Sequence, residues 1–228
     1  MRAIGGPGQA AAYIATLLAS AILQSSALAA SFDCAGASTT MEQLVCGDAA
    51  LDARDEMMTT LYAATLKANR REAVDTRQRA WLRTAQACRT VACLGEAYDG
   101  RNAELQRSEG GAAAGTDYFS DEPEGNHGTL NVVGPLHGFA SVSLTSTFVG
   151  AGGEASGDVY AAGTEAFLDL RNGRAVSARN GCRLTYERLD ADRWNVGQDG
   201  TCDLPGGTTF AGIYHRLPTK PETAGGSP

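Results

Sequence analysis

The chain has 228 residues, enough for one or two domains. With 43% hydrophobic and 20% charged residues it is not a disordered polar chain. A net charge of −7 offers no basic face to a nucleic-acid backbone and favours a basic protein partner.

The N-terminus reads as an export signal. Arg2 is the only charge in the first thirty residues, and an apolar run follows from Ala10 to Leu23. Ala27-Leu28-Ala29 then places small residues where a signal peptidase reads, so residues 1–29 are expected to be a signal peptide, cut after Ala29 or Ala30. The apolar run is too short to span a bilayer as a stable helix. Cys34 follows Ser31-Phe32-Asp33, and an acidic residue just before the thiol argues against lipidation. Losing Arg2 leaves 18 basic against 26 acidic residues, a net charge of −8. The expected location is the periplasm or the medium, with no stable membrane insertion after cleavage.

All six cysteines follow the cut: Cys34, Cys46, Cys88, Cys93, Cys182 and Cys202. An even count in an exported chain reads as three disulfides. Cys182 and Cys202 stand apart and should pair, a bridge worth roughly 3 kcal/mol by loop entropy. The first four allow three pairings. No Cys-x-x-Cys knuckle or neighbouring histidine supports a metal site, and no cofactor is expected.

Residues 30–108 carry helical periodicity. Thr39 or Thr40 can cap a short helix through Cys46. Asp48 opens a longer one, with Asp52, Asp55 and Glu56 near its positive end and Lys67 in its last turn. Leu51, Asp55, Met58, Tyr62 and Leu66 share a face. A second long helix starts near Glu72, breaks or bends over Arg89-Thr90-Val91-Ala92, and continues to about Arg107. A short turn between long helices implies an antiparallel hairpin. That arrangement favours disulfides across elements, such as Cys46–Cys88 with Cys34–Cys93.

Residues 109–127 open with Glu-Gly-Gly-Ala-Ala-Ala-Gly and continue through Asp117, Asp121, Glu122 and Glu124, the composition of a flexible acidic linker. From residue 128 to 217 the apolar period becomes two. Asn172-Gly173, Asn180-Gly181 and Asp199-Gly200 lie between short apolar runs, as tight hairpins require. About seven strands are expected, in a small antiparallel barrel or sandwich. Residues 218–228, rich in Pro and Gly, read as a disordered tail. The fold class is therefore α+β: a disulfide-linked helical hairpin followed by a small antiparallel β-domain.

The helical part resembles the LprI-type lysozyme-inhibitor family of bacterial envelope proteins. The resemblance runs over Phe32-Asp33-Cys34, Glu42, Val45-Cys46, Leu51, Asp55, Tyr62, Gln78-Arg79-Ala80-Trp81-Leu82, Cys88, Cys93-Leu94, Tyr98 and Arg101, about a third of the chain. Most of these residues read as structural. Asp55 sits on an otherwise apolar face and needs a hydrogen-bonding partner there. The Trp81 indole, Arg79, Arg83 and Arg101 are the candidates, so Asp55, Trp81 and Arg101 are expected to form a polar network.

In the β-part, Ser156-Gly157-Asp158-Val159-Tyr160 is similar to the Ser-Gly-x-x-Tyr loop of the MliC/PliC-type inhibitors of c-type lysozyme. That resemblance implies a small barrel whose loop enters the lysozyme cleft, with Ser156, Gly157 and Tyr160 as contacts. Such a cleft holds one protonated and one ionised carboxyl group. A serine hydroxyl can bond to them without bringing an opposing charge. The family's second motif, Tyr-x-x-x-Thr-Lys-Gly, is absent: Tyr214 to Lys220 has one extra residue and lacks the glycine. The plainer reading of the same segment is a polar hairpin with Tyr160 in the core.

No enzyme site is apparent. His127, His137 and His215 stand in no His-Glu-x-x-His pattern, Gly-x-Ser-x-Gly does not occur, and each cysteine has a disulfide to enter. The expectation is an exported binding protein with a lysozyme or related muramidase as its partner. The alternative is a non-inhibitory envelope adaptor that binds a protein or glycan.

Overall fold

The computed structural model describes residues 31–121 and 125–217, so the expected signal peptide and tail lie outside the described residues. Helix α1 spans Thr40–Gly47 and starts at a capping box: the Thr39 hydroxyl accepts from Glu42 N–H, and the Glu42 carboxylate accepts from Thr39 N–H. Helix α2, Ala49–Ala68, is capped by Asp48, which accepts from the N–H groups of Ala50 and Leu51. Helix α3 covers Arg71–Ala87 and helix α4 Val91–Gln106.

The expected bend near residue 90 is a complete break, because Thr90 adopts extended angles and its hydroxyl caps α4 by accepting from Cys93 N–H. Helix α2 consequently packs mainly against α4, and α3 lies to the side.

This break also corrects the cysteine pairing. The disulfides are Cys34–Cys46 and Cys88–Cys93, with Cα–Cα distances of 5.7 and 5.6 Å, rather than Cys46–Cys88 and Cys34–Cys93. Cys88 ends α3 and Cys93 lies in the first turn of α4, so the reversal at the break brings them together locally. Cys182–Cys202 pairs as expected.

The described part of the segment expected to be a flexible linker, residues 109–121 and 125–127, is built into the fold. Helix α5, Glu109–Ala112, is one turn capped by Ser108, and strand β1, Thr116–Asp121, follows. Gly110 is buried against α2, where a Cβ would stand 2.3 Å from the Ala64 carbonyl oxygen. Glycine here permits close packing, not looseness. Asp117 accepts from the Asn131 side-chain amide, so this acidic residue is a partner within the sheet.

Strands β2 (Asn126–Leu136), β3 (Phe139–Val149), β4 (Val159–Asp169), β5 (Arg174–Arg179), β6 (Cys182–Arg188), β7 (Arg193–Gly200) and β8 (Gly212–Arg216) complete an antiparallel sheet in the order β4-β3-β2-β1-β8-β7-β6-β5. It curls into a nearly closed eight-stranded barrel. β4 and β5 lie side by side without a ladder, which leaves one open seam. Asn180-Gly181 forms its hairpin with both residues at positive φ. Asn172-Gly173 turns between β4 and β5 at that seam, so its turn signal does not bring a strand pair.

The barrel interior is filled by Leu130, Val132, Val142, Leu144, Leu168, Tyr186, Trp194, Val196 and Tyr214. The alternating pattern lapses at residues 130–133 and 139–142, which are buried in unbroken runs. There the outer face of β2 and β3 is covered by the helices, so both faces are dry. Val133 and Phe139 belong to the helical core, and Phe167 of β4 packs against it. Arg54 of α2 lies 3.6 Å above the Phe167 ring centre and bonds Asp99 of α4 at 2.7 Å. The Gln106 amide donates to Asn131 and accepts from the Ser141 hydroxyl, joining α4 to the barrel wall. Helices and barrel share one packed interface.

Candidate functional site

The three residues singled out in the β-part come together at one end of the barrel. The β3–β4 connection, residues 150–158, folds on Asp158. Gly150 N–H donates to the Asp158 carbonyl at 2.8 Å, and Gly152 N–H to its carboxylate at 2.9 Å. A Cβ on Gly150 would stand 2.2 Å from that carboxylate, so the wrapping requires glycine. One 3-10 turn, Glu154–Ser156, follows and is ended by Gly157 at φ 74°. The Ser156 hydroxyl is exposed and donates to the Gly153 carbonyl at 2.9 Å. Its own lone pairs remain able to accept a proton donor from a partner.

Tyr160 is 39% exposed, so it is not a core residue. Its position follows from strand alternation. Tyr160 pairs with Phe148 across β3 and β4, two steps beyond the Ser146–Ala162 pair that lines the interior. Phe148 and Tyr160 thus continue the inward-facing rows past the last closed layer and form the rim.

The β7–β8 connection, residues 201–211, lies beneath them. A Cβ on Gly206 would fall 2.4 Å from the Tyr160 ring, and one on Gly207 3.0 Å from the Phe148 ring. Two aromatic rings therefore rest on bare backbone. The connection is held by Asn126, which donates to the Gly207 carbonyl and accepts from Thr209 N–H, and by Gln198, which accepts from Phe210 N–H at 2.8 Å. The Cys182–Cys202 bridge fixes its start. Phe148, Gly206 and Gly207 are site residues that sequence reasoning missed. Gly206-Gly207 was legible only as a turn, and Phe148 only as a strand residue.

The rim lies far from the helices. Phe139, which packs on the helical core, is nine strand residues from Phe148, roughly 30 Å at the usual rise. Tyr214, the start of the incomplete second motif, is buried and donates to the Phe210 carbonyl at 2.9 Å. Lys220, the end of that motif, lies outside the described residues.

In place of the expected network, Asp55, Trp81 and Arg101 each hydrogen-bond to other groups. Asp55 is 3% exposed and accepts from the Tyr98 hydroxyl at 2.8 Å and from Ser31 N–H and hydroxyl at 2.9 and 2.6 Å. Burial, and then the adjacent Asp55 carboxylate, push the Tyr98 hydroxyl well above its ordinary pKa. The Trp81 indole donates instead to the Ala97 carbonyl at 2.9 Å, and its ring meets Tyr98 edge-on with centres 5.1 Å apart. Arg101 bonds Gln78 and Glu104 at 2.9 and 2.6 Å. Tyr98, three residues before Arg101 on α4, supplies the hydroxyl that Asp55 bonds.

Among the described residues, clefts indent the surface on either side of β4. One, of about 460 Å³, lies between α4 and β4 and is lined by Glu96, Asp99, Arg107, Glu165 and Phe167 among others. Arg107 pairs with Glu165, and Asp99 with Arg54, so its charges are largely matched internally. The other, of about 420 Å³, opens on the β4–β5 seam between Thr164, Ser177, Arg179, Leu204 and Phe210. Among the described residues no histidine lines either cleft, and no helix is long and apolar enough to cross a membrane. Set against known proteins, the chain matches no family model, no curated protein and no solved structure.

Proposed function

We propose that this protein is an exported envelope protein that blocks the cleft of a lysozyme or related muramidase with the free rim of its barrel. One observation carries the reading: Ser156 and Gly157, on a loop whose shape is fixed from within, and Tyr160, at the start of the strand that follows it, are all exposed at the same end of the barrel. A loop held in its bound form loses little entropy on docking. Tyr160 offers rigid apolar area with a polar tip, and the Ser156 hydroxyl offers an acceptor to a protonated carboxyl group. The net negative charge speeds capture of a basic enzyme. The protein performs no turnover in this reading. It occludes.

The test is lysis of bacterial cell walls by c-type lysozyme at low salt, with the oxidised protein titrated in. Stoichiometric loss of lysis is expected. Ser156→Ala and Tyr160→Ala should each weaken inhibition by about tenfold or more, the effect of losing a central contact. Inhibition unchanged by both substitutions would move the site to the helices. No inhibition of c-type, g-type or i-type enzymes would leave a non-inhibitory adaptor.

A further inference from the structure

A buried carboxylate is stable in a protein interior only when paired or fully hydrogen-bonded. Asp55 receives three hydrogen bonds, two of them from Ser31 and one from Tyr98. Each donor is neutral in the chain as translated. Among the described residues, no lysine, arginine or histidine forms an ion pair with Asp55. Its neighbour Asp52, one helical turn earlier, holds its proton above the usual carboxylate range, chiefly through burial and then Glu56, with His137 acting against the shift and Asp55 adding to it.

The backbone nitrogen bound to Asp55 is that of Ser31, 2.9 Å away. This is also where the leader is expected to be cut. Hydrolysis at Ala29–Ala30 or Ala30–Ser31 adds water across one amide. The carbonyl carbon leaves as a carboxylate, and the released amine takes up a proton. Cleavage before Ser31 makes the bound nitrogen itself an ammonium group. Cleavage before Ala30 places that group one peptide unit away, within about 4 Å of it.

We propose that the α-ammonium group created by leader removal is the counter-charge of buried Asp55. Processing then completes the helical core. The unprocessed chain holds that carboxylate on neutral donors alone and is the less stable form. The processed chain locks its first residues onto that carboxylate. The inference goes beyond lysozyme inhibition and rests only on the chain being exported and cut.

Intact mass of the protein recovered after export comes first. A chain beginning at Ala30 or Ser31 is expected. A retained leader would overturn the export reading and this proposal together, and a start at Phe32 or later would overturn the pairing alone. The second experiment adds three residues, Gly-Ser-Gly, directly after the cleavage site that the mass identifies, in exported protein with all three disulfides. The extension should lower the urea midpoint in the native sequence and leave it unchanged in Asp55→Asn. An equal shift in both backgrounds would overturn the proposal. The third is an NMR titration of the α-amino group, which needs no variant. Beside the Asp55 carboxylate, whose other oxygen accepts from the Tyr98 hydroxyl, it should hold its proton at least one pH unit above the usual value near 8, about tenfold more tightly. A value at or below the usual one would overturn the pairing.

Discussion

Tyr98 carries two duties in one side chain: its ring is fully buried against Trp81, and its hydroxyl is bonded to Asp55. Tyr98→Phe keeps the first and removes the second, leaving one carboxylate oxygen with no donor. A loss of about 1–3 kcal/mol is expected, read from urea unfolding, with the helical content unchanged. At the rim, Gly206→Ala introduces a Cβ 2.4 Å from the Tyr160 ring. The ring must tilt away, and on the proposed function inhibition should weaken about tenfold while the wild-type disulfides still form. Glu42 shows how one residue ties stability to pH. The Thr39 and Ser38 N–H groups hold its carboxyl below the usual range. Its folded pKa lies below its unfolded one, so the contribution is complete above the ordinary carboxylate pKa and fades as pH falls through the lowered value. Glu42→Gln should therefore lower the urea midpoint at neutral pH and flatten the acid limb of the stability curve.

Helix α5 makes the clearest prediction among the elements. Gly110→Ala places a Cβ 2.3 Å from a carbonyl oxygen of α2, and should cost about 1–3 kcal/mol, visible as a lower urea midpoint. A flexible linker would tolerate the same change freely. This element also shows what the sequence could and could not disclose. Capping residues announce themselves locally, so Thr39, Asp48 and the Asn180-Gly181 turn were legible. A Gly-Gly-Ala run has the same composition whether it swings in water or is pressed against a helix, and only the Ala64 carbonyl decides between them. The helix break at residue 90 was visible as a weak point, but whether it bends or ends depended on the Thr90 cap. Because it ends, the cysteine partners changed. The site divided the same way. Ser156, Gly157 and Tyr160 were readable from their spacing. Phe148, Gly206 and Gly207 become neighbours only when β7 and β8 close beside β3 and β4, a contact with no local signature.

At the scale of the whole molecule, the helices cap the outer wall of β2 and β3 near one end of the barrel and leave the other end free. A chain reduced to residues 114–217 would expose Val133, Leu136, Phe139 and Phe167, all packed against the helical core. It should aggregate or melt well below the full chain in a thermal scan, so the rim is best assayed in intact protein. The three disulfides add a property of a different kind. Each joins a cysteine to the next one along the chain: Cys34 to Cys46, Cys88 to Cys93, Cys182 to Cys202. No bridge spans another. A chain threading into an oxidising compartment from its N-terminus presents the correct partners two at a time. An oxidase that simply couples consecutive thiols as they emerge would make every native bond, and no proofreading by a disulfide isomerase would be needed. On the proposed export, cells without such an isomerase should yield this protein in full.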